Sequence, residues 1–327
     1  MARVHLPQPE IAFVIHIKSI VKGVGSNFLE SFRDPTDRVT GTFDAASSYA
    51  IFMRYLIALG CLGVLFVDKT VLEFGPGASF GMGLAALLSG ARRYYAFDLI
   101  DNTTDERNVA VFDELVDLFR ARAPIPSEGH HAQIFPFIED PAFPANLLPD
   151  STLQASLDPE RIAAIRHDLV THGDQFIRPR SSRDMKNAVL DEPVDIVVSE
   201  SVFEHVDGDA VEPAYSAFAR WLRPDGAMMH LIDFSSHKLT DIWNGHWECP
   251  PALWSVVRGK RYYLLNRFPL EKHMELLRAK GFKIAHCELL RRVDGLVRED
   301  FSPEFRTMSL RDATTHLASL VCFKDKA

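Results

Sequence analysis

Thr70-Val-Leu-Glu-Phe74 is an apolar run interrupted by one glutamate, and it leads straight into Gly75-Pro-Gly77-Ala-Ser-Phe-Gly81. Such a run predicts a buried strand entering a tight glycine turn. Residues 81–89 are rich in Ala, Leu and Met and predict a helix, which Gly90 stops. Arg93-Tyr-Tyr-Ala-Phe97 predicts a second strand closed by Asp98. Strand, glycine turn, helix and strand in this order make half of a doubly wound nucleotide-binding fold. Glycines at the strand end let backbone pass close under a ligand. The following helix presents free N–H groups, and an acidic residue closing the second strand accepts the hydroxyls of a ribose.

Upstream, Asp44 caps a predicted helix to about Leu59, with Gly60 as its stop. Residues 1–45 are punctuated by Gly23, Gly25, Pro35 and Gly41, which predicts a short helix or two with loops. Downstream, residues 105–121 carry a helical apolar pattern. Residues 124–149 then hold six prolines and little periodicity. A loop this long is usually an insertion or functional, so 123–158 is expected to be an inserted, partly ordered segment near the site. Alternation resumes with a helix at 159–171 and a short strand at 175–178. A strand follows at 194–199 and a helix at 211–222, ended by the turn Arg223-Pro-Asp-Gly226. A strand at 227–234, a helix at 270–279 and strands at 282–289 and 315–323 complete the pattern.

Composition narrows the function. The 327 residues carry 36 basic and 44 acidic side chains, a formal charge of -8. A broad grip on nucleic-acid phosphates needs clustered Lys and Arg, so no nucleic-acid partner is expected. The basic run Arg258-Gly-Lys-Arg261 reads as a solvated loop. The four cysteines, Cys61, Cys249, Cys287 and Cys322, form no Cys-x-x-Cys pair, so they are expected to be small buried hydrophobes in a reducing compartment. Ile11 to Val21 is apolar but contains His16 and Lys18, unlike a signal peptide. Ser48 to Val67 contains Arg54, Gly60 and Gly63 and reads as a buried helix followed by a loop, not a membrane span. The expected location is cytoplasmic.

The turn has two further details. Its glycines are not spaced as in a dinucleotide site, because the glycine after Gly77 is Gly81, one residue late. Glu73 would repel a pyrophosphate but suit an ammonium group. S-adenosylmethionine has an ammonium and a ribose and no phosphate. Val71-Leu-Glu-Phe-Gly-Pro-Gly77 followed by Phe97-Asp98 resembles the first two motifs of class I S-adenosylmethionine-dependent methyltransferases, with Ser79 where a third glycine is common. The resemblance implies an α/β, doubly wound, Rossmann-like seven-stranded sheet with an antiparallel last strand. It implies a catalytic domain over 65–327, with a substrate-side segment at 238–268 and a helical extension at 1–64. It also implies S-adenosylmethionine as cofactor, held by Glu73, Phe74, Gly75, Pro76, Gly77, Asp98, Leu99, Ser199 and Glu200. An adenine contact is expected near Arg180 to Ser182.

Asp195-Ile-Val-Val-Ser-Glu-Ser-Val-Phe-Glu204-His205-Val206 resembles the family's fourth strand and its Glu-His-Val turn. In isoprenoid-quinone O-methyltransferases a similar turn carries a further glutamate and binds a divalent metal. Ser201 stands at that position here, so no metal is expected. His205 reads equally as a general base or as a structural loop residue. His230-Leu-Ile-Asp-Phe-Ser-Ser-His237 resembles a pattern of bacterial sugar-related methyltransferases, with Ser236 where aspartate is common. Strand alternation places His230 and Asp233 on opposite faces. His230 is then a core histidine or a base, and His237, beyond the strand end, is the better base candidate. Trp243, Trp247 and Trp254 either fill a core or stack on a sugar.

The leading expectation is therefore O-methylation of a small-molecule or saccharide acceptor. The alternatives are an NAD-dependent oxidoreductase and a non-catalytic cofactor-binding protein on the same scaffold. The sequence leaves the oligomeric state open, a homodimer included.

Overall fold

Seven strands in the computed structural model form one sheet, and the apolar run that opens the glycine motif is its first. Residues 15–33, 44–99, 102–182 and 185–325 are described. Residues 11–14 of the apolar N-terminal stretch, Pro35 and Gly41 lie outside them. The strands are β1 (Thr70–Phe74), β2 (Arg93–Asp98), β3 (Ile177–Ser181), β4 (Val194–Glu200), β5 (Leu222–Asp233), β6 (Phe282–Arg291) and β7 (Thr315–Lys324). Their order is β3-β2-β1-β4-β5-β7-β6. The first five are parallel, and β7 runs antiparallel between β5 and β6. This is the expected sheet with its antiparallel last strand. The building direction reverses between β1 and β4, which makes their carboxyl ends the switch point where such sheets bind ligands.

The helices among the described residues are α1 (Ile17–Gly25), α2 (Ala45–Gly60), α3 (Gly81–Leu88), α4 (Asp105–Arg120), α5 (Asp150–Ser156), α6 (Pro159–Thr171), α7 (Gly208–Trp221), α8 (Pro251–Arg258), α9 (Leu270–Ala279) and α10 (Leu310–Thr314). Strand alternation sorts the sheet's side chains into two layers. Val71, Ile196, Val198 and Met229 pack with α2, α3, α4 and α6. Leu72, Phe74, Val197 and Met228 pack with α7 and α9.

Local chemistry sets the helix ends. Asp44 caps α2 by accepting the Ser47 amide at 2.7 Å. Asp158 caps α6, whose first residue is Pro159. At the other end of α6, the buried Asp168 carboxylate accepts the amides of Gln175, Phe176 and Ile177 at 3.2, 2.8 and 2.9 Å. The carboxylate thus holds the chain entering β3, which begins at Ile177, two residues later than expected.

The structure corrects four expectations. The segment 123–158 is described throughout, and Ile125, Phe135, Leu148 and Leu153 are buried in the α2–α3 layer. Its prolines break periodicity but not packing. Arg223-Pro-Asp-Gly226 is not a separate turn before β5, because the strand already begins at Leu222. The pairing jumps from Val194–Leu222 to Ile196–Ala227 and the turn residues bulge between. Helix α2 is no extension, since Tyr49, Phe52, Met53, Tyr55 and Leu56 are core residues. Cys61 is exposed, although Cys249 and Cys322 are buried.

Helix α1 instead docks on the segment 238–268. A Cβ on Gly23 would lie 2.1 Å from the Val256 carbonyl oxygen, so only glycine permits this approach. The Lys260 amide donates to Ser26 Oγ at 2.8 Å. Trp243, Trp247 and Trp254 are buried in this half of the molecule and serve as core. No helix of the described residues is long and apolar enough to cross a membrane.

Replacing Asp168 by Ala leaves three amides at the start of β3 without their acceptor. We expect Asp168→Ala to lower the unfolding free energy by about 2–3 kcal/mol. Urea unfolding measures this, and a loss under about 0.5 kcal/mol would show that water or backbone substitutes for the carboxylate.

Candidate functional site

Gly75 leaves β1 with φ +78° and Gly77 follows with φ +73°, both in the left-handed region. At Gly75 a Cβ would lie 2.5 Å from a Val202 methyl, so the turn after β1 and the turn after β4 are in direct contact. Asp98, at the end of β2, accepts the amide of Leu99 at 2.6 Å and that of Gly77 at 3.3 Å. These bonds fix the carboxylate beside the glycine turn.

A cavity of about 230 Å³ opens here, lined among others by Pro76, Gly77, Asp98, Leu99, Arg180 and Ser181. All six residues are expected at a nucleoside site from two separate parts of the sequence: the turn with Asp98 and Leu99, and the end of β3. A carboxylate for ribose hydroxyls and a close-approach turn, side by side in one cavity, fit an adenosyl group.

Glu73 is not on the cavity wall. Alternation turns it into the α2–α3 layer, where it is 2% exposed and accepts the Tyr94 hydroxyl at 2.6 Å. Burial pushes its carboxyl up to about 7, against the pull of the Tyr94 hydrogen bond. Glu200 lies on the same side of the sheet and accepts the Tyr55 hydroxyl at 2.8 Å. Burial pushes it up to about 8, opposed by Tyr55 and by the charge of Arg54, with Asp233 and Glu73 adding to the rise. The same Tyr55 hydroxyl lies 2.7 Å from the Ser199 carbonyl oxygen, so its single proton is shared between the two oxygens. Arg54 and Tyr55 were missed as site residues because α2 read as an extension. Their signal was an arginine inside an apolar helix.

Beyond the ends of β4 and β5 a second group converges. A carboxylate oxygen of Glu204 and a ring nitrogen each of His205 and His237 lie within 4.8 Å of one another. Glu204 is 4% exposed, and neither oxygen has a partner in hydrogen-bond geometry. Burial and then the Asp233 charge raise its pKa, while its own amide and that of Asp233 act in the opposite sense. His205 Nδ1 lies 2.7 Å from the Tyr263 carbonyl oxygen, which can only accept, so Nδ1 donates. His237 Nε2 lies 3.4 Å from Asp233. His237, Lys238 and Ser201 all have left-handed backbone, with φ between 47° and 63°.

Three expected site residues face elsewhere. Ser199 Oγ lies 2.8 Å from His230 Nδ1, in the layer against α7, because alternation turns it away from Glu200. His230 is fully buried beside Phe203 and Phe218, and burial holds its pKa down to about 3. In this structure it sits as a core histidine. The Phe74 ring packs on Phe203 and Phe218 in the same layer.

A family model described as a methyltransferase domain matches residues 149–230, which run from α5 into β5. Over this span, which holds β3, β4 and the Glu204–His205 turn, the chain is similar to a methyltransferase domain. A search of curated proteins finds no match. Similar solved structures include an S-adenosylmethionine-dependent methyltransferase from Methanosarcina mazei, 12% identical with a TM-score of 0.42, covering 82% of this chain and 97% of that one. Another, from Mesorhizobium loti, is 13% identical with a TM-score of 0.41, covering 82% and 96%. Haemonchus contortus phosphoethanolamine N-methyltransferase 2, in complex with phosphomonomethylethanolamine and S-adenosylhomocysteine, is 14% identical with a TM-score of 0.41, covering 90% and 60%. These likenesses are distant.

The protein should lose stability as pH rises above neutrality. Glu73 and Glu200 keep their protons in the fold up to about 7 and 8, whereas the ordinary value is 4.5. Below the ordinary histidine value of 6.5 the buried His230 and His273, held down to about 3, act in the opposite sense. Above it the native state binds more protons than the unfolded one, so unfolding free energy falls with pH. Urea midpoints from about pH 7 to 8.5 should decline, and Glu200→Gln should flatten the decline. An equal slope in that variant would remove Glu200 as a cause.

Proposed function

We propose that this protein is a class I S-adenosylmethionine-dependent methyltransferase that methylates an oxygen of a small polar molecule. The convergence of Glu204, His205 and His237 beyond the ends of β4 and β5 carries this reading. A hydroxyl acceptor must lose a proton as its oxygen bonds to carbon, and this group lies where the acceptor would enter. A saccharide stacked on tryptophan loses support, because all three tryptophans of the 238–268 segment are buried.

When bound, S-adenosylmethionine supplies a methyl group on a positively charged sulfur with an excellent leaving group. In this reading Asp98 holds the ribose hydroxyls, and Arg180 and Ser181 flank the adenine side. Gly75 and Gly77 admit the cofactor close to the backbone. Glu73 and Glu200 lie behind this surface, and their ionisation would favour a cationic group near the end of β4. Transfer would form a bond from the acceptor oxygen to the methyl carbon and break the carbon–sulfur bond, whose electron pair would stay with sulfur. The hydroxyl proton goes to the Glu204–His205–His237 group. The remaining demand is positioning, which is the larger share of such catalysis.

The carboxyl groups Glu73, Glu200, Glu204 and Asp233 favour one further reading, methylation of a cationic amine. Transfer of a carbon-13-labelled methyl group distinguishes the two, since a methyl ether and a methylamine give separate carbon signals.

Three outcomes are expected in cofactor binding. S-adenosylhomocysteine at about a hundred times its dissociation constant should add about 2.7 kcal/mol of stability, and NAD should add none. The affinity for S-adenosylhomocysteine should rise between about pH 6 and 8.5, as the carboxyls lose the protons that compete with its ammonium. Asp98→Ala should weaken binding by about 1.5–3 kcal/mol. Thermal shift and calorimetry read all three, and a binding constant indifferent to Asp98 would sink the ribose assignment.

A further inference from the structure

We propose that Glu204, His205 and His237 hold a divalent transition-metal ion. The inference deepens the reading of the acceptor side just given. Its three donors, one carboxylate oxygen and two imidazole nitrogens, lie within 4.8 Å of one another. Two come from the turn after β4 and one from the turn after β5, so neighbouring strand ends bring them together.

Glu204 supplies the observation that points to a ligand. A carboxylate buried to 4% exposure with no hydrogen-bond partner on either oxygen is unfavourable unless a proton or a cation compensates it. It is aimed at two imidazoles. On His205, Nδ1 donates to the Tyr263 carbonyl, so in the neutral ring the lone pair is on Nε2. A backbone carbonyl on one ring nitrogen is the outer partner that metal-ligating histidines usually keep. Asp233, 3.4 Å from His237 Nε2, stands at the edge of the group. A dication would also offset the carboxylates Glu200, Glu204 and Asp233 gathered here.

The donor set selects the ion. Two imidazoles and one carboxylate suit zinc and its first-row neighbours better than magnesium or calcium, which prefer oxygen donors. Three protein ligands leave a coordination position open, as in catalytic rather than structural sites. An acceptor hydroxyl in that position would be more acidic than in water. The group would then act through the cation and not take the proton itself: the cation would acidify the hydroxyl, and the proton would pass to water or to Asp233 at the edge of the group.

The test uses the full chain after treatment with a chelator, with neither cofactor nor acceptor present. Zinc is titrated in competition with a coloured chelator, and cobalt by its visible absorption. One ion per chain is expected. Glu204→Gln and His237→Gln should each weaken zinc binding by about 100-fold or more. His130→Gln removes one of the stacked histidines His130 and His131 on another surface, and should leave the stoichiometry unchanged. Zinc binding that is absent, or is untouched by Glu204→Gln and His237→Gln, overturns the proposal. Should either variant fail to fold, the cobalt spectrum of the parent chain decides. Bands of a low-coordinate nitrogen and oxygen site support the proposal, and the spectrum of the hydrated ion alone overturns it. S-adenosylhomocysteine binding, measured separately without metal, shows whether the cofactor reading stands or falls on its own.

Discussion

Gly75 turns out of β1 with a left-handed backbone, and a Val202 methyl occupies the space where its side chain would be. This contact ties the turns after β1 and β4 across the switch point. No other residue type satisfies both demands, because a Cβ meets the valine and the positive φ strains the backbone. Both halves of the site hang on it. On one side the chain continues through Gly77 to the Asp98 carboxylate. On the other, Val202 is followed at once by Phe203, which packs the α7 layer, and by Glu204 and His205 at the mouth.

The interior around this contact is unusually rich in carboxyls for a buried region. Glu73 and Glu200 are held by tyrosine hydroxyls from β2 and α2. A phenol donates one hydrogen bond and brings no charge, so it supports a carboxyl without neutralising it. Burial then keeps both groups protonated well above their usual range, and they can respond to an arriving cation. Glu204 lacks even such a phenol. The site is thus graded, from carboxyls with hydrogen-bond partners near the cofactor cavity to one with none at the acceptor side.

Much of this was legible in the sequence where a single physical rule governed. Leu270–Ala279 and Pro159–Thr171 are helices as their apolar period requires, and the glycine turn places Asp98 where the doubly wound rule puts it. Reading is harder where two rules meet. The motifs bring Ser199 and Glu200 together at the cofactor, while alternation along β4 sends them to opposite faces. They bring Glu73 there as well, while its strand turns it toward Tyr94. The mouth was the hardest part to read, since His237 joins Glu204 and His205 only through the pairing of β4 with β5. No spacing along the chain encodes that meeting.

The position of β7 bears on how the chain acquires its fold. Residues 315–324 form the strand lying between β5 and β6, and each of its two neighbours pairs with it and not with the other. As the ribosome delivers the chain in order, β5 waits with an open edge while β6 is made. Its sheet closes only when β7 slots in. An unpaired, apolar strand edge invites pairing with other chains, and non-local pairing of this kind is slow. The vulnerable period of this protein's synthesis is therefore long, and protection of the β5 edge by chaperones matters most just before the final strand emerges.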